Sequence, residues 1–252
     1  MVTYLPMPML EAEAYSKESI MLQQQLESER KQDNNWDKEL VLEGRFKITK
    51  GQCPNCNDYL NNYFMPQIYS SSRQYTPQQY ANVLLQAYAQ QLRILYNYGA
   101  RKMALFGVGQ IGCSPNELAT NSPDGRTCVS RINSANQLFN NGLKSLVDQL
   151  NNQFPDARFI YVNVYGIFQD IISNPSAFGF RVINAGCCGI GRNNGQITCL
   201  PGQNPCRDRN AYLFWDAFHP TEAGNTIIGR RAYNAQSASD AYPIDINRLA
   251  QI

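Results

Sequence analysis

The chain has 252 residues, a formal net charge of +2 and 43% apolar side chains. That length buries one sizeable core or at most two, and the near-balanced charge gives no basic footprint for nucleic acid. No apolar run reaches the roughly 18 residues that a membrane-spanning helix requires.

In chain order, residues 1–56 differ in texture from the rest. Charged residues crowd into 11–50, and Glu11 to Glu43 reads as a polar, possible helix with scattered Ile20, Met21, Leu22 and Leu26. Its apolar stripe is weak, which predicts a tail or a loosely docked helix. Cys53-Pro54-Asn55-Cys56 has redox or zinc spacing. The preceding Phe46 to Lys50 makes a poor strand for a redox motif, and no second pair of suitable spacing completes a zinc site. Disulfide bonding or plain thiols is the expectation there.

From Asn57 onward, elements alternate. Thr76-Pro77-Gln78-Gln79 reads as a helix start with a proline in the first turn and a capping-box glutamine. Tyr80, Val83, Leu84, Ala87, Tyr88, Leu92 and Leu95 then recur at helical spacing until Gly99. Lys102 to Val108 is a buried-type strand, and Cys113-Ser114-Pro115 after it reads as loop. Ile132 to Phe154 is a second amphipathic helix and Arg158 to Val164 the next strand. Ile167 to Ile172 fits a short helix. Ala211 to Trp215 is extended, and Thr221 caps a last helix through Ile227, Ile228 and Ala232. Strands alternating with helices predict an α/β fold, a parallel sheet covered on both faces. Ligands then bind beyond the carboxyl ends of the strands.

Six of the eight cysteines fall in Gly-, Pro- and Asn-rich stretches: Cys113, Cys128, Cys187, Cys188, Cys199 and Cys206. This predicts disulfides that pin loops in an oxidising compartment, with the pairing left open. Met1 to Pro6 does not read as a secretory signal, because it lacks a basic start and its apolar run is broken by Pro6 and Pro8. The sequence contains no N-glycosylation sequon.

The chemistry concentrates at the only histidine. In Trp215-Asp216-Ala217-Phe218-His219-Pro220-Thr221, the aspartate three residues upstream is placed to hold Nδ1–H. Nε2 is then free to take a proton from a nucleophile and return it to a leaving group. The bland alternative is a histidine bonded in a turn ahead of a helix. Asn57 offers an amide for an oxyanion, against the alternative of an Asx turn. Gly107-Val108-Gly109-Gln110-Ile111-Gly112 matches the dinucleotide-binding glycine pattern. The loop-like Cys113-Ser114-Pro115 argues against the helix such a site needs, so no cofactor and no metal is expected.

Four blocks carry a more specific signal: Asn57 to Phe64, Gly107 to Pro115, Ala185-Gly186-Cys187-Cys188-Gly189, and Phe214 to Thr221. In this order and at these separations they closely resemble the plant-type GDSL esterase/lipases, a branch of the SGNH hydrolases. The resemblance covers 57–252. It implies a three-layer α/β/α fold and a secreted hydrolase of carboxylic esters, acting on lipid-like or acylated small molecules. It further implies that His219 is the catalytic base, Asp216 its orienter and Asn57 an oxyanion donor. The family's Gly-Asp-Ser nucleophile block and a second oxyanion glycine have no match, and Asn55 stands where the family usually has glycine.

The expectation is therefore an incomplete hydrolase domain, 57–252, behind an unrelated segment, 1–56. Strands near Met103 and Phe159 would show an unpaired edge and bare apolar faces, lowering stability. Ser114 is a poor replacement nucleophile, since Pro115 is read as preventing a helix from starting after it. The alternative to an ester hydrolase is a catalytically inactive homologue that binds ligands, or that depends on a partner chain for the missing strands.

Overall fold

The computed structural model describes residues 58–252; Asn57, Cys53, Cys56 and the charged segment lie outside the described residues. After a single wide helical turn at Asp58–Tyr63 and the short helix α1 (Ser71–Gln74), Thr76 opens α2 (Pro77–Asn97). The Thr76 hydroxyl accepts from the Gln79 amide at 3.3 Å, and the Gln79 side chain accepts from the Thr76 amide at 2.8 Å. Two otherwise orphaned donors are thereby satisfied reciprocally. Thr76→Ala should cost about 1 kcal/mol, read as a fall of roughly 2–4 °C in the thermal midpoint; an unchanged midpoint would show that the cap is dispensable.

The strands follow as β1 (Lys102–Phe106), β2 (Arg158–Val162), β3 (Val182–Gly186), β4 (Tyr212–Phe214) and β5 (Ala241–Tyr242). Between them lie α3 (Pro115–Asn121), α4 (Ser130–Gln153), α5 (Val164–Ser173), α6 (Glu222–Tyr233) and, last, α7 (Ile246–Gln251). β1 and β2 pair in parallel from Lys102↔Arg158 to Phe106↔Val162. Their alternating side chains feed two layers. Met103, Leu105, Phe159 and Tyr161 pack with Leu84, Leu92, Phe139 and Leu143 of α2 and α4. Ile160 and Val162 pack on the other face with Ala232 of α6 and Leu249 of α7. This is the α/β/α layering that the sequence predicts.

Four differences from the sequence reading have physical causes. The sheet is mixed, because Asp240, held by Arg231 of α6, turns the chain so that β5 meets β2 antiparallel at Tyr161↔Tyr242 and Val162↔Ala241. β3 escaped notice because Val182-Ile183-Asn184-Ala185-Gly186 has neither clean alternation nor an apolar run; it pairs in parallel with β4, with an irregular register between Val182 and Gly186. The apolar faces of β1 and β2 are not bare: helices cover both. Lastly, a helix does start at Pro115, with Ser114 as its cap. Among the described residues the outer edge of β1 has no strand partner, as expected.

The Gly107–Gly112 loop is fastened by three asparagines on one face of α4. Asn140 brackets Val108, donating to its carbonyl at 2.8 Å and accepting from its amide at 2.7 Å. Asn136 donates to the Gly109 carbonyl, and Asn133 accepts from the Gly112 amide. The amides of Gly107, Val108, Ile111 and Gly112 are already bonded within the protein, and a Cβ at Gly107 or Gly112 would press on Tyr161 or the Val129 carbonyl, so these glycines serve packing. Among the described residues, no helix is long and apolar enough to cross a membrane.

Candidate active site

β4 ends at Phe214 and the chain turns back on itself within six residues. Trp215 N donates to the His219 carbonyl at 2.7 Å, and Thr221 N donates to the Leu213 carbonyl at 2.9 Å. Thr221 then caps α6 by accepting from Gly224 N at 3.2 Å. The turn is held from outside as well. Asn116 N, in the first turn of α3, donates to the Ala217 carbonyl at 3.0 Å, and Cys188 N donates to the Trp215 carbonyl at 2.8 Å. Gly186 lets β3 approach this closely: a Cβ there would sit 3.0 Å from the Asp216 carbonyl and 3.0 Å from that of Asn194.

Inside this frame, His219 Nδ1 lies 2.9 Å from both Asp216 carboxylate oxygens. Asp216 Oδ1 also accepts from the amides of Phe218 at 2.9 Å and His219 at 2.8 Å, and Oδ2 accepts from the Thr198 hydroxyl at 2.8 Å. Burial pushes the Asp216 carboxyl up, but these bonds to the ionised form outweigh it and hold the group down at about 2. The bond to that carboxylate raises the His219 imidazole, against the lowering effect of burial. Asp216 is buried, whereas the imidazole is 38% exposed. Among the described residues Nε2 has no hydrogen-bond partner. A carboxylate-oriented, partly exposed imidazole whose Nε2 has no partner among the described residues is the arrangement of a general base.

The structure thus brings together Asp216 and His219 as the sequence predicts. Asn57 lies outside the described residues. Ser114 is buried, and its hydroxyl oxygen accepts from the Glu117 amide at 3.4 Å. The sequence objection to it was therefore mistaken: Ser-Pro here is a helix start, and the serine is occupied as a cap. Thr198 was missed by sequence reasoning; nothing in its neighbourhood signals a role except the adjacent Cys199. Among the described residues, three disulfides join Cys113 to Cys128, Cys187 to Cys206 and Cys188 to Cys199. The predicted loop-pinning is observed, and the pairing of these six cysteines is assigned; Cys53 and Cys56 lie outside the described residues. No group of three metal-ligating side chains gathers among the described residues.

Comparison with known proteins bears on the same region. The sequence model of the GDSL-like lipase/acylhydrolase family matches residues 56–232. Over 196 residues the chain is 78% identical to GDSL esterase/lipase At1g29670 of Arabidopsis thaliana and 67% identical to GDSL esterase/lipase At1g29660 of the same plant. Each match covers 78% of this chain and 54% of the relative, so the chain spans about half the length of the curated relatives it matches. GDSL esterase/lipase 7 of the same plant is 47% identical over 199 residues. With a family match across most of its length and an imidazole–carboxylate pair in the last matched block, the chain belongs to the GDSL-like lipase/acylhydrolase family.

Proposed function

We propose that residues 57–252 are the base-bearing part of a hydrolase of carboxylic esters, lipid-like or acylated small molecules, and that residues 1–56 stand apart from that domain. The observation that carries this reading is the His219–Asp216 pair, with Nδ1 held by a buried carboxylate and Nε2 without a partner among the described residues. A serine oxygen attacks the ester carbonyl carbon while Nε2 takes the serine proton. The tetrahedral intermediate collapses, the carbon–oxygen bond to the alcohol breaks, and Nε2 returns the proton to the departing alkoxide. Water then hydrolyses the acyl-enzyme by the same relay. Asn57 donates its amide to the oxyanion.

No serine of this chain is assigned as nucleophile. We infer that a Gly-Asp-Ser strand, from a longer form or a partner chain, supplies it. The outer edge of β1, unpaired among the described residues but covered on both faces, favours such pairing over a self-sufficient enzyme. The three disulfides suit an oxidising compartment, and we propose secretion.

A fluorophosphonate probe tests the reading. Labelling is expected when the chain is mixed with the N-terminal half of a close relative, and is expected to vanish with His219→Ala. Labelling that survives His219→Ala would overturn His219 as the base. A mixed, folded assembly that never labels would favour an inactive binding protein.

A further inference from the structure

The Asp216 carboxylate is held in two different ways. Oδ1 is fixed by two amides of its own turn, Phe218 and His219. Among the described residues, Oδ2 has one partner besides the imidazole, and it comes from another segment: Thr198 Oγ1 at 2.8 Å. Bonds to Oδ1 alone leave the carboxylate able to swing about its Cβ–Cγ bond. A second donor on Oδ2 stops that swing and keeps both oxygens 2.9 Å from Nδ1.

Thr198 lies in no regular element. Two linkages place it. On one side Ile197 bridges Ile190. On the other, Cys199 is bonded to Cys188, whose amide donates to the Trp215 carbonyl, one residue before Asp216. The disulfide therefore ties the segment carrying the hydroxyl to Cys188, just after β3 and hydrogen-bonded to the turn carrying the carboxylate. Asn194 adds a further tie, donating to the Gly186 carbonyl at 3.0 Å.

We propose that Thr198 is a positioning residue for the His219–Asp216 pair, and that the Cys188–Cys199 disulfide delivers its hydroxyl to Asp216 Oδ2. This deepens the hydrolase reading and rests on His219 as the base. The hydroxyl does not touch substrate. It acts through the carboxylate, as outer-shell donors act on oriented imidazoles elsewhere. Among the described residues, the charged groups near the turn include Asp216 itself, Arg209, whose guanidinium lies 5.4 Å from the Trp215 ring, Glu117 of α3, which accepts from Asn121, and Glu222 in the first turn of α6. Of these only Asp216 bonds the imidazole.

Because His219 is the only histidine, its titration can be followed by nuclear magnetic resonance as a single imidazole, without any turnover. Thr198→Val removes the hydroxyl and keeps the shape. Its imidazole pKa should fall toward the ordinary histidine value, and the Nδ1 proton should lose its downfield shift. Thr198→Ser should restore both. The paired change Cys188→Ser with Cys199→Ser should reproduce the valine result. In the probe-labelled assembly, Thr198→Val should slow labelling about ten-fold. An unaltered His219 titration in Thr198→Val overturns the positioning role. An unaltered titration in the cysteine variant overturns delivery by the disulfide. A shifted titration in an assembly that never labels supports the positioning role and overturns only the esterase reading.

Discussion

Asp240→Asn should lower the unfolding free energy by about 3–5 kcal/mol, because it strands a buried guanidinium. Arg231 and Asp240 are 4% and 1% exposed. Arg231 Nε donates to Asp240 Oδ2 at 3.0 Å, and Nη2 contacts Asp240 Oδ1 as well. Asp240 also accepts from the amides of Gln236 and Ser237 at 2.9 and 3.1 Å. The amide of asparagine puts a donor where one carboxylate oxygen accepted, leaving either the guanidinium or a backbone N–H without an acceptor. Asp170, which Arg231 also reaches at 2.7 Å, is more than half exposed and replaces little of the lost attraction. The loss is a large share of the ~5–15 kcal/mol that stabilises an ordinary domain. It should appear as a lower urea midpoint with an unchanged slope. Removing the guanidinium as well, Arg231→Met with Asp240→Asn, keeps an acceptor for the Gln236 and Ser237 amides and leaves no buried charge, and should recover part of it. If Asp240→Asn matched the parent midpoint, the pair would not hold α6 to β5.

The pair also sets a pH window. Burial pushes the Asp240 carboxyl up, but the bonds from Arg231 and the two amides win, and its folded value lies below the ordinary one. A carboxyl depressed by folding contributes stability above its unfolded pKa and loses it as pH falls through the folded value. Asp216, held at about 2 against an ordinary 3.8, behaves the same way. The chain should therefore soften below about pH 4, and Asp240→Asn should soften less with acid than the parent does.

The parts of this molecule that were readable from sequence are the local ones. Asp216 and His219 lie three residues apart, so one turn suffices to join them and no fold needs to be known. α2 was announced by Thr76-Pro77-Gln78-Gln79, each residue acting at its own position in the cap. The same logic holds at Ser114-Pro115, where the structure starts a helix and not the loop that Cys-Ser-Pro suggests, because proline fits a first helical position as well as a loop. Thr198 was out of reach for a different reason. It meets Asp216 across 18 residues, through a disulfide whose pairing no spacing rule dictates. β3 and β5 were invisible because their strand character comes from neighbours, β4 and β2, and not from their own side-chain patterns. The amphipathic pattern of α4 gives no sign of a role for its asparagines. In the fold they are its grip on the Gly107–Gly112 loop.

If, as proposed, His219 is the base of an assembled ester hydrolase, Asp216→Asn should reduce hydrolysis about ten-thousand-fold, near the loss known when a triad aspartate is replaced in this way. Oδ1 accepts from two backbone amides, so the asparagine carbonyl oxygen must occupy that position. Its NH₂ then takes the place of Oδ2, facing both Thr198 and Nδ1. A donor facing Nδ1 stabilises the imidazole with its proton on Nε2, the atom that has to accept the serine proton. The base is present in place but in the wrong tautomer. Nitrogen-15 chemical shifts of the single imidazole report this directly: Nδ1 should change from protonated to bare while the fold is kept. In the parent, hydrolysis should rise with pH as the imidazole loses its proton, with the midpoint above the ordinary 6.5 because Asp216 favours the charged ring. Asp216→Asn removes that charge, so the remaining activity should show its acid limb at lower pH. An asparagine variant that kept the proton on Nδ1 and its rate would mean that Asp216 does not choose the tautomer, and His219 would then be a histidine bonded in a turn.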